Sequence, residues 1–394
     1  MILKYLWAQR RSNALLLLEL TLVGIMLFYV VNAFLDAYGV YRIPLGFTTE
    51  RSYVINLQKT KKANITGHQL KDSLDRFLRT RKEIDQFAYT FDSEPFSGDR
   101  NCWPIVVGGV EQQLNIRVSD VNFPSLLGVH INEGRWFTEA ELLQNSKVCL
   151  ITEGLKEFLK RPYPVGTMLS FGNPTEESLR IIGVIPDLKY GTYEPPVLSI
   201  FRPMDLEDNF FEWKMIVKVK EGQKEDFAQT LKLFTSDVSK SLGLVVLSVN
   251  DFDTKKQFAD TNSTNAIWSL FWCAFFFLVN VILGIYVVFS GRVKKRVSEL
   301  AIRMAVGSSR RGIIALVLGE SILLLLLSSI VVLVVALNMA HFGILDGKIP
   351  FTAWRFIADF LFVELILLIS VSSSVLVPAV KASRIEPAMA LHYE

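Results

Sequence analysis

The sequence predicts an α-helical membrane protein with four transmembrane helices in a one-plus-three arrangement and a large α/β plus β-rich domain inserted between helices 1 and 2. Composition is the first indication. With 394 residues, 51% of them hydrophobic and 21% charged, and a mean hydropathy of +0.33, the chain is too apolar for an ordinary soluble enzyme and too polar to be all membrane spans. Second, four apolar stretches reach the roughly 20 helical residues that cross a bilayer core about 30 Å thick. Third, residues 39–263, between the first and second of these, contain no such stretch.

The spans read as 14–37, 266–289, 313–337 and 356–380. Lys4, Arg10 and Arg11 precede the first, as in a signal peptide, but its apolar run is too long and no A-x-A-like site follows, so it is expected to be an uncleaved anchor. Residues 1–13 place Ile2, Leu3, Leu6 and Trp7 on an apolar face beside those cations, which predicts a cytoplasmic amphipathic helix on the membrane surface. Asp359 and Glu364 are the costly exceptions in the fourth span, at about 2.5 to 3.5 kcal/mol for a carboxylate at the bilayer centre, and are expected to face other helices or water.

Basic residues set the orientation. The loop 291–312 carries Arg292, Lys294, Lys295, Arg296, Arg303, Arg310 and Arg311 against Glu299 alone, and the N-terminal stretch has three cations and no acid. The long segment is nearly balanced. Both basic pieces and the tail 381–394 are therefore expected in the cytoplasm, with 39–263 outside. On this topology, positions near Lys189 are reachable from outside and those near Ser308 are not.

The external segment begins as strand, helix, strand. Residues 53–57 alternate, Leu70, Leu74, Phe77 and Leu78 share a helical face, and 84–91 is a second strand. The order recurs at its end, with 213–219, then Phe227, Leu231 and Phe234 at helical spacing, then 244–249. This pattern predicts an outer α/β part, 50–100 and 204–255, interrupted by a β-rich insertion, 101–203. The insertion carries the short apolar runs 105–110, 147–152 and 179–185, Gly and Pro punctuation between them, and one helix near Glu153 to Lys160.

Several chemistries are disfavoured. The histidines His68, His130, His341 and His392 lack ligand-like spacing, and three cysteines do not make a disulfide framework. Pairing of Cys102 with Cys149 is left open, and Cys273 falls in the second span. The sequons at Asn64 and Asn262 are chance-level patterns. No catalytic constellation stands out in the external segment. No segment reads GxxxxGK[ST], so the phosphate cradle of P-loop proteins is missing.

The most informative stretch is Arg292 to Ser321. Val293, Val297, Leu300, Ala301, Met304 and Ala305 fall on one helical face, while Arg292, Arg296, Glu299 and Arg303 share another. Gly307 suits the C-terminal cap, and Ser308 or Ser309 can cap the helix that follows. The loop can be a solvated basic segment obeying the positive-inside rule, or its helix can be a docking lever for a cytoplasmic partner.

This stretch closely resembles the permeases of the MacB and FtsX family of ATP-binding-cassette transporters. Arg296, Glu299, Leu300, Ala301, Ile302, Arg303, Ala305, Val306, Gly307, Ser308 and Ser309 match the family's R-x-x-E-[IL]-[AG]-[IL]-R-x-A-[LV]-G-[AS]-S pattern. The end, Pro378 to Leu391, is similar to its P-A-x-x-A-x-R-x-x-P-x-x-A-L ending. Gly134 to Thr138, Pro164 to Gly166 and Ile182 to Ile185 resemble its external domain more weakly.

The resemblance implies a bacterial inner-membrane, multi-pass protein with both termini cytoplasmic and 39–263 periplasmic, working as a homodimer or heterodimer of permeases. It implies a coupling helix (Arg296, Glu299, Leu300, Ile302, Arg303, Met304, Ala305 and Gly307) seated in a cleft of an ABC ATPase subunit. ATP and Mg are then bound only through that partner, and closure of the ATPase pair moves the membrane helices and the periplasmic domain. MacB itself carries a fused ATPase; here a separate ATPase polypeptide is expected, because the cytoplasmic pieces are far below the ~100–200 residues of a domain. The chain itself is not expected to be an enzyme.

A periplasmic adaptor and an outer-membrane channel are further candidate partners; no nucleic acid is expected. The leading expectation is MacB-like efflux of peptides or other periplasmic compounds. Alternatives are a lipoprotein-releasing (LolC/LolE-like) permease and an FtsX-like regulator of cell-wall hydrolases.

Overall fold

The computed structural model describes residues 10–60, 65–91, 93–98, 102–107, 110–170, 178–206 and 212–384. Residues 1–9 of the expected amphipathic helix, Asn64 of the first sequon and the tail from 385 onward lie outside them. The chain divides into two compact units, Val40–Ser263 and Met1–Gly39 with Thr264–Glu394.

In chain order the elements are α1 (Arg10–Arg42), β1 (Ser52–Lys59), α2 (Gly67–Arg79), β2 (Ile84–Phe91), β3 (Cys102–Val107), β4 (Val110–Ser119), α3 (Phe123–Leu127), β5 (Glu133–Gly134), α4 (Glu139–Leu143) and β6 (Val148–Thr152). There follow α5 (Glu153–Leu159), β7 (Met168–Leu169), β8 (Leu179–Ile185), β9 (Ser199–Pro203), β10 (Glu212–Val219), α6 (Lys224–Leu233), a π-helical turn (Phe234–Val238), α7 (Ser239–Ser241) and β11 (Leu244–Asp251). The last four are α8 (Phe252–Lys295), α9 (Val297–Ala305), α10 (Arg310–His341) and α11 (Ala353–Ser383).

In the Val40–Ser263 unit the strands form one mixed sheet in the order β11-β1-β10-β2-β4-β9-β6-β8-β5, with β3 added on β4 and β7 on β8. The first four pair antiparallel, β1 lying between β10 and β11. α2 starts at a capping box in which Thr66 Oγ1 accepts from the Gln69 amide and Gln69 Oε1 accepts from the Thr66 amide. It buries Leu70, Leu74 and Leu78. The Phe227 to Phe234 stripe also reaches the core, but the π-turn begins at Phe234 and shifts the periodicity there.

Among the described residues, the paired register between the second half of the sheet and the first is Thr90 opposite Ser119 and Phe91 opposite Val118. Beyond that joint β4 pairs β9, and β6 pairs β8, in parallel. Both faces of this half are covered, so its strands read as unbroken apolar runs. Along β6, Val148 and Leu150 enter one core while Cys149 and Ile151 enter another. Among the described residues, 101–203 hold three short helices where one was expected: α5 near the anticipated place, and α3 and α4 in addition. Five residues are too few to show a helical period; α3 closes on Gly128 at φ 68°, and α4 opens on a Thr138/Glu141 capping box.

Asp120, just after β4, is almost fully buried, and its Oδ1 accepts from the Asn122 amide. Burial outweighs that bond and pushes the carboxyl from 3.8 up to about 7. Between these values the folded chain holds a proton that the unfolded chain has lost, so stability falls as pH rises through the window. Urea unfolding followed by tryptophan fluorescence at about pH 5 and about pH 8 should show this loss in the wild type and a smaller one in Asp120→Asn. An unchanged pH difference in the variant contradicts the assignment.

In the other unit, α1, α8, α10 and α11 are each long and apolar enough to cross a membrane. They run past the expected spans; α8 has 44 residues. Length past the hydrocarbon is set by local helix propensity, which an apolar window does not detect. α1 and α10 approach closely at Gly24, where a Cβ would lie 2.7 Å from Val332 Cγ2. Asp359 is fully buried among the helices, and Glu364 accepts from Ser329 Oγ at 2.7 Å, so both face other helices. Glu19, Asp36 and Glu320 are further acids in these helices. Glu19 packs where a Cβ on Gly284 would meet its carboxylate at 2.7 Å, Asp36 accepts from Arg355, and Glu320 bonds Arg296.

Candidate functional site

The short helix α9 is set off from its neighbours by local chemistry. Arg296 occupies its N-cap with φ −113° and ψ 15°, which breaks the run of α8. At the other end Gly307 takes φ +102°, a conformation that a side chain resists. The Gly307 amide donates to Met304 O at 3.0 Å and the Ser308 amide to Arg303 O at 2.9 Å, a complete Schellman ending. Of the two candidate serines it is Ser309 that caps α10, its Oγ accepting from the Gly312 amide at 3.1 Å.

One face of α9 packs inward. Leu300 is 1% exposed and Ala301 fully buried, and Met304 packs on the same core. The opposite face is open: Ile302 is 49% and Val306 84% exposed, with Ala305 and Gly307 beside them. The cations Lys294, Lys295, Arg310 and Arg311 are exposed at either end.

The three charged residues of the motif bond one another and the body of the unit. Arg296 donates through Nε to Glu299 Oε2 at 2.9 Å and through Nη2 to Glu299 Oε1 at 3.3 Å. Its Nη1 reaches α10, donating to Glu320 Oε1 at 2.8 Å and Oε2 at 3.0 Å. Arg303 Nη2 donates to Glu299 Oε1 at 2.8 Å. Burial opposes the charge on Arg296, but the two carboxylates outweigh it and hold its pKa above the ordinary value.

The motif residues thus separate into two groups. Arg296, Glu299, Leu300, Arg303 and Met304 fasten the helix to its unit; Ile302, Ala305 and Gly307 face outward, with Val306 next to them. Such a constellation holds a helix in place and does no bond chemistry. Glu320 is the member missed in the sequence. Its signal was a lone acid in an apolar span, which calls for a nearby cation.

In the Val40–Ser263 unit, Cys149 is buried, and burial pushes its thiol up to about 12. Cys102 is exposed, and its Sγ donates to Asn115 Oδ1 at 3.2 Å. All three cysteines are free thiols. Among the described residues no group of three or more His, Cys, Asp or Glu could hold a metal ion.

Residues 20–232 match the model of the MacB-like periplasmic core domain, and residues 271–387 that of the FtsX-like permease C-terminal region. Two relatives are each described as macrolide export ATP-binding/permease protein MacB. The one from Aggregatibacter actinomycetemcomitans is 22% identical over 209 residues, and the one from Mannheimia succiniciproducens is 26% identical over 216 residues. Each alignment covers 52% of this chain and 32% of the relative, so the matched part spans about a third of their length.

Among solved structures, the periplasmic region of MacB from Actinobacillus actinomycetemcomitans aligns at 16% identity and a TM-score of 0.38, covering 56% of this chain and 98% of that one. The extracellular domain of the ABC-type transporter YknZ from Gram-positive bacteria aligns at 12% identity and 0.33, covering 50% and 100%. The core-domain model by itself spans more than half of the sequence, and the permease model takes up most of the remainder. The chain, a membrane protein with four apolar helices and a mixed-sheet domain after the first, belongs to the MacB/FtsX-like family of ABC transporter permeases.

Proposed function

We propose that the chain is the permease subunit of a bacterial inner-membrane ABC transporter that carries ATP-driven motion to a periplasmic domain, serving MacB-like efflux of peptides or other periplasmic compounds. Both termini and α9 are cytoplasmic, and the mixed-sheet unit is periplasmic. A separate ATPase subunit binds ATP and Mg, and a second permease subunit completes the assembly.

The observation that carries this reading is the build of α9. A nine-residue helix presents the exposed apolar side chains Ile302 and Val306, while its opposite side is fastened to α10 by the Arg296–Glu320 pair. An apolar ridge flanked by cations suits a shallow cleft with an acidic rim, and a helix so fastened passes a push to the span behind it instead of yielding. The basic excess of 291–312 supports the cytoplasmic placement.

Inverted membrane vesicles holding the full chain should bind the purified ATPase and change its hydrolysis rate, and the chain alone should hydrolyse no ATP. Ile302→Asp with Val306→Asp should abolish binding without loss of the permease from the membrane. Equal binding to right-side-out vesicles, or undiminished binding by the double variant, contradicts the proposal.

A further inference from the structure

The chain enters the Val40–Ser263 unit at the end of α1 and leaves it along the first turns of α8, and one loop touches both places. Lys189 is fully buried. Its Nζ donates to Val40 O at 2.7 Å, to Ile43 O at 3.2 Å and to Thr192 O at 2.8 Å. The three donors of an ammonium are thus matched by three carbonyls. Two of these lie at or just past the C-terminus of α1, where carbonyls lack helical partners and the helix dipole favours a cation. The Lys189 amide adds a bond to Leu45 O at 3.1 Å. Gly46, at φ +83°, lets the two segments close up, since a Cβ there would lie 2.5 Å from Leu188 Cδ2 and 2.9 Å from Asp187 O.

The same loop holds the other helix. Thr192 Oγ1 donates to Asp260 Oδ2 on α8 at 2.7 Å. A second tie comes from the neighbouring loop, where the nearly fully buried Glu94 accepts at Oε1 from Lys255 of α8 at 3.1 Å and from Lys214 of β10 at 3.0 Å. The loops join through the Phe96 amide, which donates to Tyr190 O at 2.7 Å. Inward, Arg117 of β4 lies over the Tyr190 ring at 3.9 Å and donates to Leu188 O at 3.4 Å. A continuous chain of polar contacts therefore runs from both helix ends to the middle of the sheet.

We infer that Lys189, Thr192 and Glu94 form a collar through which movement of α1 and α8 is handed to the external sheet. This rests on the motion-transmitting function proposed above. Burying a lysine costs desolvation that an apolar side chain would avoid. A plain packing contact here needs no charge; a tie that must not slip along the helix end gains from directional bonds. These residues are positioning residues and take no part in ATP chemistry.

The test uses the full chain reconstituted with its ATPase subunit, spin-labelled at Gln144→Cys and Leu326→Cys in a background with Cys102 and Cys273 replaced by serine. Addition of ATP should shift the distance distribution between the labels. In Lys189→Met the shift should fall by at least about half while ATP hydrolysis stays within about twofold of the parent. Thr192→Val, which loses a single hydrogen bond, gives the same readout if Lys189→Met does not fold, and Thr192→Ser, which keeps the hydroxyl, should restore the shift. If the parent moves and both Lys189→Met and Thr192→Val move as far, the collar is wrong. If the parent hydrolyses ATP without any shift, the motion-transmitting function fails first and the collar falls with it.

Discussion

Replacing Arg296 and Glu320 together by methionine should leave the permease folded and bound to its ATPase, yet lower ATP-dependent activity by at least about fivefold, the lower end of usual coupling free energies. Removing both partners matters. Arg296 alone would leave a nearly buried carboxylate without its cation, at a cost of about 3 to 5 kcal/mol, and misfolding would mask any loss of coupling. The double replacement removes that penalty and breaks the strut between α9 and α10, while Glu299 loses Arg296 but keeps Arg303. Leu300 and Ala301 keep the helix seated, so binding through Ile302 and Val306 should persist. The readouts are thermal unfolding, ATPase binding and the hydrolysis rate of the complex. Normal activity in the double variant would show that the strut carries no force.

The largest effect on stability is expected at Asp36. This carboxylate in α1 accepts from the Lys348 and Ile349 amides, both at 3.0 Å, and from Arg355 Nη1 at 3.2 Å. Arg355 also donates through Nη2 to Asn32 O and Oδ1, both at 3.0 Å, so the connection between α10 and α11 is pinned to one turn of α1. Asp36→Ala takes the counter-charge from a mostly buried guanidinium and an acceptor from two amides, and should cost about 3 to 5 kcal/mol in detergent unfolding. Asp36→Asn, which retains an acceptor, should cost less. Gly347→Ala should also destabilise, because its Cβ would lie 2.5 Å from the Asp36 carboxylate. A change below about 0.5 kcal/mol in Asp36→Ala, the level of an ordinary surface substitution, would refute the pin.

What could be read without the structure was local or set by the solvent. Hydrocarbon thickness dictates a minimum apolar length, so four spans follow from hydropathy alone, and the Gly307 and Ser309 caps act within a few residues of themselves. The Leu70, Leu74 and Leu78 face of α2 and the apolar runs of β6 and β8 belong to the same class, because burial imposes its period on neighbouring residues.

Contacts between distant segments could not be read this way. Arg296, Glu299 and Arg303 do share a face, but only the packing of α9 on α10 turns that face toward Glu320 and leaves the outer side to Ile302 and Val306. Lys189 reads as an exposed loop lysine and is fully buried, because two of the three carbonyls that hold it lie at the end of a helix almost 150 residues earlier. Likewise, among the described residues, the sheet continues from one half into the other through two residue pairs, Thr90 with Ser119 and Phe91 with Val118. By itself the sequence determined how many helices are long enough to cross the membrane, where the short helix begins and ends, and which family the chain resembles. Tertiary structure decided which charges are struts, which side chains of α9 stay exposed, and how Lys189 is held inside the Val40–Ser263 unit, because a side chain's partner depends on where the fold brings the rest of the chain.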